Sequence, residues 1–210
     1  MAGGLGRSDH VALLRAYDGW QEARRVGRGD GYCWEHFLSP NTLQLMHDMR
    51  GQFLDVLKET GFVDPRAGVE AYNSRGRDPH MIAAILCAGL FPSVGQLKPQ
   101  GRRVGVFTRE DGKVDIHPSS VNARMADPRH PWLMYSEKVK TTDIFLRSTS
   151  VVSDFALLLF GGDLHPSSKA GGGFDMLGGY LHFAAAPRTG QLVLVRRPPP
   201  PLPVSACRCL

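Results

Sequence analysis

Apolar residues recur every three to four positions through the front of the chain and every two positions through its middle, and the change of period falls just after Pro92. Ser8 is a good N-cap, and Val11, Leu14, Tyr17 and then Trp20 or Gln21 follow it, so residues 9–24 are predicted to form an amphipathic helix. Gly27, Gly29 and Gly31 are expected to break it. A second helix is punctuated at both ends. Ser39 caps it, Pro40 takes its first position, Leu43, Met46, Phe53, Leu54 and Leu57 line it, and Gly61 follows its end. Asp78 and Pro79 repeat the start signal for a third helix, Met81 to Ala88, which is apolar nearly all round, stops at Gly89 and calls for burial on every side. The polar stretch from Asp64 to Arg77 has no period and is predicted to be a loop.

Beyond Pro92 the pattern is that of strands. Residues 102–109 alternate, Asp111-Gly112 is a hairpin turn signal, and Lys113 to Ile116 is the returning strand. Trp132 to Thr141 and Ile144 to Thr149 are two further β-rich runs, expected to pair around a bend near Asp143. Ser153 to Phe160 fits either a short helix closed by Gly161-Gly162 or a buried strand. A Gly-rich loop, Gly161 to Gly179, leads to a last strand, Tyr180 to Ala185. Pro198 to Pro201 and Pro203 cannot join a sheet interior, so the tail is expected to be extended or disordered.

Composition narrows the class. With 42% hydrophobic residues in 210, a buried core is expected. No run approaches the roughly 18 apolar residues of a membrane span, and Met1 to Arg7 lacks the apolar region of a signal peptide. No membrane partner and a cytoplasmic or nuclear home are therefore expected. Cys33, Cys87, Cys207 and Cys209 are too few for a disulfide framework, and Cys33 with His36 has no second pair to complete a metal site. The charge is unevenly spread. Residues 94–150 hold 10 Lys/Arg against 6 Asp/Glu, whereas residues 1–93 hold 10 against 11. A surface that binds phosphates would produce that asymmetry.

Catalytic signatures are missing. A phosphate loop would end in Gly-Lys-Ser/Thr, and neither Gly171 to Gly173 nor Gly178-Gly179 does. No Gly-x-Ser-x-Gly elbow occurs, and His-Pro-Ser-Ser, present at His117 to Ser120 and at His165 to Ser168, has turn-forming composition rather than the geometry of a triad. No catalytic residue, small-molecule substrate, metal or cofactor is assigned.

Binding chemistry is better represented. Extended, Trp132 to Lys140 would send Leu133, Tyr135 and Val139 one way and Met134, Ser136, Lys138 and Lys140 the other, a packed face backing a basic one. Two lysines about 7 Å apart suit successive phosphates of one strand. On the hairpin, Arg103, Phe107 and Arg109 share a parity opposite to Val104 and Val106. An aromatic between two arginines is how single-strand binders stack a base while holding its phosphates, but the reading the sequence favours has Phe107 in the core with Val104 and Val106 outward. Small strands of this kind fit an α+β chain, a helical bundle followed by a five-stranded OB barrel.

Taken in order, the motifs also resemble a known family. Ser8-Asp9-His10, Leu13 to Tyr17, Trp20, Tyr32-Cys33-Trp34 and Phe37-Leu38-Ser39 resemble the helicase-associated region of DEAH-box RNA helicases of the RNA helicase A type. Ala88 to Pro92, His117 to Asn122, Pro131-Trp132-Leu133, Glu137 to Thr142, Phe145-Leu146-Arg147 and Leu157 to Gly162 resemble the OB-fold that follows it, and Met176 to Tyr180 is closest to plant members. The resemblance implies a ratchet-like helical domain over 8–92, an OB-fold over 93–186 and an unmatched Pro/Arg-rich tail over 187–210. It further implies single-stranded RNA as partner, activator proteins as alternative partners, and ATP and Mg only where RecA-like motor domains precede this region. Phosphate contacts are expected from Lys138, Lys140 and Arg147, hydrogen bonds to phosphate or ribose from Thr141, Thr142, Ser119, Ser120 and Asn122, and stacking from Phe107 flanked by Arg103 and Arg109.

Overall fold

Ser39 and Pro40 start the longest helix as their chemistry dictates: Ser39 Oγ accepts from the Thr42 amide at 3.3 Å, and the helix runs Pro40–Glu59. The structure is a computed structural model that describes residues 7–101, 103–124, 130–168 and 172–184, so the predicted tail lies outside the described residues. Contacts divide the chain into two units, His10–Asp78 and Pro79–Leu210, the latter joined by Met1–Asp9.

In the first unit, α1 (Asp9–Arg25), α2 (Gly29–Glu35), α3 (Pro40–Glu59) and α4 (Val69–Asn73) follow one another. Tyr17 and Trp20 of α1 pack with Cys33 of α2 and Leu43 of α3, and Tyr17 Oη lies 2.9 Å from His47 Nδ1. Helix α2 is a departure from expectation, because Gly29 and Gly31 lie inside it. Tertiary packing of Cys33 and Tyr32 outweighs the cost of a helical glycine, about 1 kcal/mol. Helix α4 likewise sits in the stretch expected to be loop. The apolar row of α3 is scarcely used: Leu43 is its one buried residue, and Leu45 and Phe53 are 60% and 62% exposed.

The second unit contains α5 (Pro79–Leu90), β1 (Val94–Gln100), β2 (Arg103–Thr108), β3 (Gly112–Ile116), β4 (Trp132–Lys140), β5 (Ile144–Val152), α6 (Asp154–Phe160) and a small sheet of β6 (His165–Pro166), β7 (Phe174–Met176) and β8 (Leu181–Phe183). The five longer strands close into a barrel in the order β1-β2-β3-β5-β4, with β3 parallel to β5. Gly112, at φ +69°, makes the predicted hairpin turn. Ser153 settles the ambiguous run as a helix, its Oγ accepting from the Ala156 amide at 3.2 Å.

Two cores share β1 and β4. Leu97, Val106, Val114, Leu133, Tyr135, Leu146 and Val151 fill the barrel. Val94, Trp132 and Met134 join Cys87 of α5, Leu157 of α6 and Phe174, Met176 and Leu181 of the small sheet in the second core. Met134 is thus buried rather than on a basic outer face, and the alternation expected for β4 begins only after Tyr135. Helix α6 approaches closely because Gly162 follows it, where a Cβ would lie 2.1 Å from the Phe91 ring. Helix α5 buries Ala83, Ala84 and Cys87 but leaves Ile85 65% exposed, so it is covered on one side and not all round. Among the described residues, no helix is long and apolar enough to cross a membrane.

Candidate nucleic-acid interface

Strands β4 and β5 pair antiparallel from Trp132–Val152 to Lys140–Ile144, and the ladder passes from Tyr135–Thr149 to Glu137–Arg147 across Ser148, whose φ is +50°. Paired residues share a face. Beyond Ser148, Lys138 therefore stands opposite Leu146, a fully buried barrel residue, and Lys140 opposite Ile144, while Glu137 and Val139 go with Arg147 and Phe145. Val139, expected on the packed face with Leu133 and Tyr135, instead goes with Phe145, and the face Lys138 and Lys140 occupy is the barrel end, not a continuation of Met134.

At that end Lys138 is already engaged. Its Nζ donates to Asp111 and, at 3.3 Å, to Glu110 Oε2, both at the hairpin turn, and it lies 5.9 Å from the centre of the Tyr135 ring. The hydrogen bond from Lys138 holds the Asp111 carboxyl below its usual range. Burial works against the Lys138 charge, but the bonds to Asp111 and Glu110 carry its ammonium above the ordinary lysine value. Burial also raises the Tyr135 phenol. Lys140 and Thr142 are exposed, and Thr141 folds back, its amide donating to the Asp143 carbonyl at 2.9 Å.

The outer face of β5 gathers a different set. Arg147 Nη2 lies 3.2 Å from His117 Nε2, and His117 Nδ1 lies 2.7 Å from Ser119 Oγ and 3.2 Å from the Ser119 amide nitrogen. The Ser119 amide N–H donates to Nδ1, so Nδ1 is an acceptor, and the Ser119 hydroxyl and the Arg147 guanidinium complete the polar surroundings of the ring. Phe145 meets the His117 ring edge-on at 6.0 Å.

On the hairpin the favoured orientation is reversed. Val106 belongs to the barrel core and Val104 packs against it, so Phe107 points outward with Arg103. Lys98 of β1 sits 5.2 Å over the Phe107 ring, and the Phe107 carbonyl accepts from Tyr180 Oη at 2.7 Å. Burial pushes the Tyr180 phenol up to about 12. Arg109 is exposed at the strand's end.

Two expected contact residues are structural instead. Asn122 is fully buried, and its Nδ2 donates to the Thr149 hydroxyl at 2.8 Å and carbonyl at 3.2 Å. Ser120 Oγ meets the same Thr149 hydroxyl at 2.8 Å and accepts from the Asn122 amide at 3.1 Å. Asp9 completes the clamp by accepting from the amides of Thr149 at 2.7 Å and Val121 at 2.8 Å. These groups tie the loop after β3 to β5 and to the chain at the start of α1, so Ser120 and the Asn122 amide nitrogens are committed within the fold. Asn122 Oδ1 is buried without a partner, and Asn122 also helps line a cavity of about 100 Å³ with Leu97, Val104 and Ile116.

Sequence reasoning missed Lys98, His117 and the paired carboxylates of Glu110 and Asp111. Strand β1 escaped notice because Gly95 and Pro99 interrupt its pattern. His117 was visible only as part of a turn, since its partner Arg147 is distant in sequence.

The chain is similar in sequence to known proteins. A domain family described as "Oligonucleotide/oligosaccharide-binding (OB)-fold" matches residues 82–164. The chain is 54% identical over 186 residues to the DExH-box ATP-dependent RNA helicase DExH1 of Arabidopsis thaliana, covering 89% of this chain and 18% of that protein. It is 42% identical over 184 residues to DExH3 of the same plant, covering 86% and 15%. Against the human ATP-dependent DNA/RNA helicase DHX36 it is 41% identical over 170 residues, covering 75% and 16%. The chain spans less than a fifth of the length of these relatives.

Proposed function

We propose that this chain, which matches the OB-fold family model over residues 82–164 and is similar along most of its length to part of DExH-box RNA helicases, serves as the RNA-contacting accessory portion of such a helicase, holding single-stranded RNA against the barrel. The observation that carries this reading is the outward surface of the barrel, where Lys98 over Phe107 offers a stacking site and Arg147 with His117 and Ser119 offers a phosphate site. The excess of Lys/Arg over residues 94–150 supports it. The relatives are named as ATP-dependent helicases, and in this reading ATP hydrolysis belongs to parts of such a protein other than the barrel.

The test is fluorescence anisotropy of a labelled single-stranded RNA across a salt series. Binding should weaken steeply with salt, with a log–log slope of about 0.7 per phosphate neutralised. Charge reversal at Arg147 should flatten that slope. A slope unchanged by R147E and by K98E would sink the assignment.

A second reading, a protein-docking module, draws on a different observation. Leu45, Phe53 and Val56 along α3 and Trp34 and Phe37 beside it are exposed, a quantity of apolar surface that usually marks an interaction site. Retention of protein partners after nuclease treatment, lost on Phe53→Asp, would favour it.

A further inference from the structure

We propose that His117 and Arg147 form a two-donor subsite for a single phosphodiester oxygen, in which the main chain at Ser119 decides which ring nitrogen carries the proton. This subsite rests on the RNA-binding reading and deepens it by giving each group at the face a role. A backbone amide always holds its proton, so the Ser119 N–H, 3.2 Å from His117 Nδ1, can only donate, and Nδ1 meets it with a lone pair. The Ser119 hydroxyl, 2.7 Å from the same nitrogen, then turns its own proton to the ring as well. With Nδ1 accepting, the imidazole proton sits on Nε2. Phe145, edge-on at 6.0 Å, helps fix the plane of the ring.

Nε2 faces the Arg147 guanidinium, which has donors only and whose Nη2 is 3.2 Å away. Two donors so placed cannot satisfy each other. They converge on the space beside them, and an oxygen at the charge-assisted distance of about 2.8 Å from each can bridge that separation. The occupant must therefore be an acceptor. An exocyclic amino group of a base is a donor and is rejected, a ribose hydroxyl accepts but brings no charge to the guanidinium, and a phosphodiester oxygen supplies both lone pairs and charge.

Arg147 is free to serve it. Among the described residues its guanidinium makes no ion pair, whereas Lys138 is already neutralised by Asp111 and Glu110. Glu137 stands opposite Arg147 across β4 and β5, and Asp115 opposite Phe145 across β3 and β5. These carboxylates lower the net attraction of the face for an anion, so aimed donors rather than bulk charge must hold the phosphate here. Ser119 then acts as a positioning residue, through the ring and not by touching RNA.

Two measurements on the full chain test it, both at about pH 8, above the ordinary histidine range. In the first, long-range proton–nitrogen NMR of the His117 ring should find the proton on Nε2 and none on Nδ1, and inorganic phosphate should shift the Nε2 and Arg147 side-chain resonances together. A proton on Nδ1, or a phosphate titration that moves neither group, would overturn the proposal without touching the RNA-binding reading. The second compares, by anisotropy with oligouridylate at fixed salt, H117Q, whose longer amide keeps an N–H donor near the place of Nε2, with H117N, whose shorter amide does not reach it. H117Q should bind within about twofold of wild type and H117N about tenfold more weakly, the loss of roughly one hydrogen bond to a charged group, with urea midpoints alike. Equal affinities in the two variants would overturn the donor role of the ring. Failure of wild type to bind oligouridylate, with the phosphate response intact, would instead sink the RNA-binding reading and leave the subsite standing.

Discussion

Ser119 and Ser120 carry the same hydroxyl one residue apart, and the loop after β3 delivers them to two different regions of the molecule. Ser120 turns inward, where it is buried with Thr149 and Asn122, and the partly buried Asp9 bonds the same Thr149. Ser119 turns outward to His117 and Arg147, where the groups hold each other loosely and face water. The inner region gains stability because a buried hydroxyl or amide left without a partner costs about 1–3 kcal/mol. The outer region gains the ability to exchange partners, since bonds competing with water are individually weak. Binding requires the second condition and is incompatible with the first.

Both regions stand on β5, so the largest effect should come from removing their common support. Leu146→Ala empties a fully buried barrel position between Phe145 and Arg147 and is expected to cost about 2–5 kcal/mol in a denaturant titration. A smaller loss would mean that the barrel relaxes into the space. Next, Asn122→Ala should cost about 1–3 kcal/mol, with RNA affinity unchanged under conditions where the variant is folded. A selective loss of affinity at full stability would return Asn122 to the binding surface. Arg147→Ala reverses the pattern: urea midpoints should stay put, whereas RNA affinity should fall several-fold with a salt slope lower by about 0.7. Ser119→Ala should do the same more weakly, and comparing it with Ser120→Ala, which should lower stability and spare affinity, is the sharpest form of the contrast.

The smallest effect concerns the barrel end. Lys138 is neutralised in place by Asp111 and Glu110, so it can reach a phosphate only by leaving them. Asp111→Asn should therefore raise RNA affinity slightly, and K138E with K140E should lower it less than R147E does. The Asp111 carboxyl is held below its usual range by Lys138, so the pair is intact at neutral pH and is lost as pH falls through that depressed value. If D111N leaves affinity unchanged, the lysine does not meet RNA.

Much of this was written in the chain. Ser39-Pro40 and the Asp111-Gly112 turn are local chemistry, and a capping hydroxyl or a residue suited to positive φ acts within four residues of itself. The barrel strands β2 to β5 and the presence of an excess of positive charge in the middle of the chain were legible for the same reason. Strand direction was legible as far as alternation holds. Where it failed, the cause lay elsewhere in the molecule. Met134 is buried because α5, α6 and the small sheet cover the outside of β4, and α2 forms through two glycines because Tyr32 and Cys33 pack onto neighbours. Lys138 was expected to meet phosphate from a basic outer face, but its partners in the fold lie 27 and 28 residues away at a turn that only barrel closure brings to it.

The sequence by itself determined the elements, their order and the types of group available for binding. Tertiary structure alone decided which hydroxyl of Ser119-Ser120 meets water, which side of β2 carries Phe107, and which cation pairs with a carboxylate, an imidazole or a ring. The reason is physical: propensity and capping are interactions between near neighbours in the chain, while burial and electrostatic pairing are set by whatever closure of the barrel places opposite a side chain.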